Sequence, residues 1–314
     1  MSITCSDISY PSADGSSTIA AKLWLPQGEL RGIVQLVHGM CEHIERYDEF
    51  ARFLAGSGFA VCGHNHIGHG NSCPEPALLG HMPVKGGLDV LIADVHSMRQ
   101  LAQAQLGEQL PYFIFAHSMG SFVTRCYLAQ HAAGLSGVIL CGTSNLPIPL
   151  SKLGLAVCRA LAKMRGETYH SAFVDNMAAG GYGKKIKGTT DPLAWIAESP
   201  RVIADYKADP QCGFMFTVGG YAAVMAATAF AASRECVEAY PQDLPLLFVA
   251  GKGDPVGEFG KGVSAAAQLA ESAGVRNVTT IIYEGMRHEI LNEDERAQPM
   301  GDILWWIEQQ LERL

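Results

Sequence analysis

The chain of 314 residues has no CxxC pair, no basic stripe and no apolar segment near its start, and only 17% of its residues are charged. Each shortage narrows the field. Nine cysteines (5, 41, 62, 73, 126, 141, 158, 212, 236) are scattered, several in apolar runs where the thiol packs as a small hydrophobe. An odd, unpatterned count fits a reducing compartment and matches no zinc spacing. With 23 basic against 31 acidic residues the formal charge is −8, which argues against nucleic acid as partner. The opening MSITCSDISYPSADGSS is polar and lacks the apolar core of a secretory signal, so the expected location is cytoplasmic. No internal repeat or low-complexity linker divides the chain.

One stretch lacks charge altogether. Gly213 to Ser233 is uncharged and long enough to raise a membrane span. It is mostly Ala, Gly and Thr, too weakly apolar to insert, and a buried helix is the expectation.

What is present is an alternation. Apolar runs bounded by turn residues read as strands at 32–38, 59–62, 111–116, 137–141, 244–251 and 278–283. Helical periodicity follows most of them, at about 45–56, 87–106, after 120, 260–274 and 302–314. Strand–helix alternation implies a mostly parallel central sheet with helices on both faces. The pattern breaks off after Gly142 and resumes near 241. Residues 1–142 and 241–314 are therefore expected to form the core, and 143–240 a mainly helical cap inserted into it.

The chain is organised around Tyr112–Phe122, YFIFAHSMGSF. An apolar strand stops at Ser118, and a helix begins at once. A serine on so tight a turn needs small neighbours two residues to either side; Ala116 and Gly120 supply them. That is the nucleophile elbow of the α/β-hydrolase fold, usually written Gly-x-Ser-x-Gly. A serine hydroxyl needs a base to take its proton. Strand 244–251 is followed by Asp254, and strand 278–283 by His288, in the order the elbow requires. Asp254 before Pro255 could by itself be a turn residue. Asp243 is the rival acid, but it precedes its strand and falls at the wrong sheet edge. The backbone N–H groups of Met119 and Met40 are the candidate oxyanion donors, with Gly39 letting the chain approach the elbow. His64, His66 and His69 lie near Cys62 and Cys73, yet strand alternation is expected to scatter them, and no metal is assigned. His117 reads as a structural neighbour of the serine or as part of the substrate site.

HGMCEH-IERY (38–47), GHGNS (68–72), HSMG (117–120), DPVGEFGKGV (254–263) and EGMRHEILNE (284–293) together resemble the monoacylglycerol lipase and lysophospholipase-like α/β-hydrolases, also grouped with the serine aminopeptidase-like hydrolases. The resemblance covers nearly the whole core. It implies Ser118 as nucleophile, His288 as base, Asp254 as acid, Met40 and Met119 as oxyanion donors, and no cofactor. Three positions depart from the pattern: Ala116 for Gly, Ser121 for Gly and Asn65 for Asp.

The implied reaction is acyl transfer from a carboxylic ester to Ser118 and then to water. A monoacyl lipid or medium-chain ester is the expected substrate, with Met215, Val218 and Met225 from the uncharged stretch lining its acyl site. Leu150, Leu153, Val157 and Leu161 recur about one turn apart, with Lys152, Arg159 and Lys163 interspersed. That helix either lies on the core or docks on lipid. The alternatives are a small-ester hydrolase or aminopeptidase, for which Glu198, Asp205 and Asp209 would grip an amine, and a ligand-binding hydrolase fold without catalysis.

Overall fold

The computed structural model describes residues 2–178 and 180–314. Its eight strands are β1 (Ile3–Pro11), β2 (Thr18–Pro26), β3 (Gly32–Val37), β4 (Phe59–His64), β5 (Tyr112–His117), β6 (Gly137–Cys141), β7 (Leu246–Gly251) and β8 (Val278–Tyr283). They form one sheet in the order β1-β2-β4-β3-β5-β6-β7-β8. β1–β2 and β2–β4 pair antiparallel, and every pair from β4 onward is parallel. The architecture is the α/β-hydrolase fold.

Strands β3 to β7 are buried along their whole length, which is why they read as unbroken apolar runs. Alternate residues serve opposite faces. Ile33, Val37, Ile114 and Ala116 pack with helices α2 (Gly87–Leu106), α3 (Met119–His131) and α9 (Lys261–Ser272). Val34, Leu36, Phe113 and Phe115 pack with α1 (Asp48–Gly56) and α10 (Ala297–Leu311). α10 starts five residues before the expected 302, because Pro299 fits the first turn of a helix.

Between β6 and β7 lie helices α4 (Ile148–Arg165), α5 (Ala172–Ala178), α6 (Pro200–Ala208), α7 (Val218–Ala231) and α8 (Arg234–Glu238). The uncharged stretch forms α7, and Tyr221, Ala222, Ala227 and Ala231 join the same apolar cluster as α2 and α3. No helix among the described residues is long and apolar enough to cross a membrane.

The fully buried residues of α4 are Ser151, Gly154 and Cys158, and Leu155, Val157 and Leu161 pack half-buried against the main apolar cluster. At position 154 a Cβ would meet Met225 Sδ at 2.9 Å, so α4 and α7 approach through small residues. Leu150 and Leu153 stay 55% and 60% exposed.

Candidate active site

The strand-to-helix turn after β5 puts Ser118 at φ 51°, ψ −119°, a region that side chains other than glycine seldom occupy. The strain is held by bonds on both sides. Ser118 N–H donates to the Cys141 carbonyl on β6 at 2.9 Å, and Ser121 Oγ donates to the Ser118 carbonyl at 2.6 Å. A Cβ at Gly120 would come within 2.4 Å of the Val37 carbonyl, so only glycine fits two residues after the serine. Ala116 packs fully buried inside β5.

Asp254 lies just after β7 and His288 just after β8, the adjacent strand. His288 Nδ1 donates to Asp254 Oδ2 at 2.8 Å. The other carboxylate oxygen, Oδ1, accepts the Val256 N–H at 2.8 Å. Both side chains are buried, at 4% and 0% exposure. With Nδ1 donating to the carboxylate, Nε2 is the ring nitrogen left to face the cavity. Trp195 lies against the ring at 5.0 Å between centroids.

Ser118, His288, Met40 and Met119 line one cavity. Met119 opens α3, so its N–H has no partner within the helix and the helix's positive end faces the serine. The Met40 N–H is oriented by an indirect route. His38 Nε2 accepts the His66 N–H at 3.0 Å, so the ring proton sits on Nδ1, which donates to the Gly39 carbonyl at 2.8 Å. In a trans peptide the C=O and the following N–H point in opposite directions. Fixing the Gly39 carbonyl on His38 therefore turns the Met40 N–H the other way. Gly39 itself sits behind the serine, where a Cβ would lie 2.6 Å from Glu42 Oε1 and 3.0 Å from Ser118 Cβ.

Of the residues expected on the acyl side, Met225 lines the cavity, with Val224 and Thr228 on the same face of α7. Met215 and Val218 do not line it. Val218 is the first residue of α7, fully buried, with its N–H on the Tyr169 carbonyl at 2.8 Å. Met215 packs against the main apolar cluster. His117 does line the cavity.

The expectation that strand alternation would scatter the histidines is wrong. β4 ends at His64, and the loop beyond it folds His66 and His69 onto His38, with ring centroids 4.3 Å (38–66) and 5.1 Å (38–69) apart. All four rings, His64 included, are fully buried, and burial holds each below the ordinary histidine range, so they are neutral. Among the described residues only His43, Asp209 and Cys212 bring three possible metal donors within 4.8 Å of one another. Both ring nitrogens of His43 are already engaged there, with Glu45 and Asp209, each at 2.8 Å.

Sequence reading passed over Glu42. Its buried carboxylate accepts from Gly39 N–H (2.6 Å), Tyr47 OH (2.9 Å), His117 Nδ1 (2.9 Å) and Arg46 Nη1 (3.1 Å). Burial alone would raise its pKa, but His117, Arg46 and the Gly39 N–H hold it far below the usual carboxylate range. Its signal in the sequence was an acid three residues after a glycine at a strand end, placed to reach back to that glycine's N–H.

The family model for serine aminopeptidase, S33, matches residues 28–295. A monoacylglycerol lipase of Mycolicibacterium smegmatis is 27% identical over 300 residues, covering 93% of this chain and 94% of that protein. The human monoglyceride lipase is 24% identical, covering 95% and 88%. A thermostable carboxyl esterase from Bacillus coagulans, solved in complex with glycerol, superposes with a TM-score of 0.91 at 32% identity, covering 98% of this chain and 99% of that one.

Proposed function

The chain belongs to the serine aminopeptidase S33 family of hydrolases and is a carboxylic ester hydrolase; from that premise we propose that it cleaves monoacylglycerol-type or medium-chain acyl esters through an acyl-enzyme on Ser118. The observation that carries this reading is the 2.8 Å Asp254–His288 pair opening onto the same cavity as a strained Ser118. His288 Nε2 takes the hydroxyl proton as Ser118 Oγ attacks the ester carbonyl. The oxyanion collects on the Met40 and Met119 N–H groups. His288 then protonates the departing alcohol, and a water repeats the sequence to release the acid. Asp254 holds the tautomer and offsets the imidazolium charge.

Segment 143–240 acts as a cap. Phe122, Leu146, Val224, Met225 and Trp195 give the cavity an apolar wall suited to an acyl chain. The aminopeptidase alternative loses its amine grips, since Glu198 pairs with Arg287, Asp205 with Arg201 and Asp209 with His43, and none of the three lines the cavity. We also propose that the cap rests on lipid. Leu150, Leu153 and Met164 on α4 and Phe173 and Met177 on α5 are exposed. No cofactor has a part in the reaction.

The test has two arms. A fluorophosphonate probe is expected to label wild-type protein at Ser118 and not Ser118→Ala. Monoacylglycerol is expected to turn over faster than an aminoacyl arylamide. Absent labelling of folded protein would leave a binding module; a preference for the arylamide would replace the lipase by an aminopeptidase.

A further inference from the structure

The residue before the nucleophile carries two hydrogen bonds that cannot both belong to a neutral ring. His117 Nδ1 faces Glu42 Oε1 at 2.9 Å, and His117 Nε2 faces the main-chain carbonyl of His288 at 3.2 Å. A carboxylate and a carbonyl only accept, so each nitrogen must carry a proton. We infer that Glu42 and His117 form a buried ion pair that positions the base: the His117 imidazolium holds the His288 backbone while Glu42 holds the oxyanion loop through the Gly39 N–H. The inference rests on the proposed roles of Ser118 and His288.

The surroundings fit a single positioning hub. The ring of His117 lies 4.7 Å from that of His288. Arg46 donates to Glu42 and, through both η nitrogens at 2.7 Å, to Glu289, the residue after the base. One carboxylate thus fastens the oxyanion loop, the elbow and the base loop before any substrate arrives. The titratable groups around His117 are Glu42, Tyr47 and Arg46 from the segment after β3, Cys141 on β6, and His288 and Glu289 after β8. Burial opposes the charge on His117, but Glu42 outweighs it and lifts the pKa above the ordinary value near 6.5.

A pH dependence follows. As pH rises through the raised pKa, the carboxylate retains the Nδ1 proton and Nε2 gives up its own. A lone pair then faces the His288 carbonyl, and the base loop loses its anchor.

The experiment is a pH profile of kcat and KM for wild type, His117→Gln and His117→Asn with a soluble short-chain ester. The glutamine amide nitrogen stands where Nε2 stood and donates at every pH; the asparagine amide nitrogen stands where Nδ1 stood and leaves the carbonyl free. His117→Gln is expected to lose the alkaline decline of kcat, and His117→Asn to run about tenfold lower in kcat at neutral pH, the size of one hydrogen bond, with KM within about twofold. An alkaline decline in His117→Gln matching wild type overturns the inference. Should a variant fail to fold, 15N NMR of wild-type His117 at pH 7 decides: two protonated ring nitrogens support the ion pair, and one bare nitrogen overturns it. Failure of the fluorophosphonate to label wild-type Ser118 would instead remove the catalytic reading and leave the ion pair standing.

Discussion

Single side chains in this protein do their work by aiming the backbone. His38 touches no proposed reacting atom, yet its Nδ1–H fixes the Gly39 carbonyl at 2.8 Å and so aims the Met40 N–H. If that N–H is an oxyanion donor, His38→Phe should lower kcat by about 10²-fold with KM little changed, since one such donor is worth about 2.7–4 kcal/mol in another serine hydrolase. His38→Asn, whose amide nitrogen stands near the Nδ1 position, should recover most of the loss. Steady-state kinetics on the two variants decide; equal losses in both, or a loss confined to KM, would remove the aiming role. Asn65 works the same way where the family pattern has Asp. Its Oδ1 accepts the Ile44 N–H at 2.8 Å, and its amide donates to Glu45 Oε2 at 3.3 Å. An aspartate there would set a second carboxylate against Glu45, so in this chain the amide is the residue that satisfies both neighbours.

The cap's elements divide their surfaces unexpectedly. Periodicity sets Leu150, Leu153, Val157 and Leu161 on one stripe of α4, but only Val157 and Leu161 pack on the core, while Gly154 and its small neighbours fit against α7. Leu150 and Leu153 are left for another medium, on a helix that also carries Lys152, Arg159 and Lys163. Leu150→Glu with Leu153→Glu should therefore cut binding to vesicles containing anionic lipid by at least about 100-fold, since each buried leucine is worth about 1.5–3 kcal/mol. Turnover of a soluble short-chain ester should hold. Co-sedimentation reads the first quantity, and unchanged binding would refute the docking face. The cap is also clasped to the core where His43 bridges Glu45 and Asp209. Burial opposes the charge on His43, but the two carboxylates raise its pKa above the ordinary value. A raised histidine gives stability that is complete below its unfolded pKa near 6.5 and is lost as pH climbs through the folded value. Asp209 is 31% exposed, so solvent screening limits the clasp to about 1 kcal/mol. Limited proteolysis should cut segment 143–240 faster above neutral pH in wild type, and equally fast at all pH values in His43→Gln. A wild-type rate that ignores pH would leave the bridge without a role.

At the scale of the molecule, the parts legible in the sequence were those whose geometry forbids alternatives. Buried parallel strands must be unbroken apolar runs, and a serine elbow must have small flanks, so the sheet and the Ser118 turn could be read directly. The histidine cluster was misread because β4 ends at His64 and period-two reasoning ends with it. The placement of α7 inside the main cluster left no periodic trace, since a helix apolar on every side has no face to detect. Asp94 was equally silent, an acid on a helix that reads like any solvated one. It is in fact fully buried and joins α2 to the β1–β2 hairpin, where Oδ2 accepts Ser12 Oγ–H at 2.8 Å and Oδ1 accepts Ala13 N–H at 2.7 Å. Burial wins over those bonds and pushes its pKa up to about 6. The unfolded value is about 3.9, so between about pH 4 and 6 the native state binds the extra proton. Stability should therefore fall as pH rises across that window, by up to about 3 kcal/mol, and stay level above it. Asp94→Asn keeps an acceptor for the Ala13 N–H and carries no charge, so its urea-unfolding free energy should lack this decline and exceed wild type at pH 7. Parallel curves for the two proteins from pH 4.5 to 7 would mean that the buried carboxylate is better solvated by its two donors than its burial implies, and that the hairpin is not held against a charge.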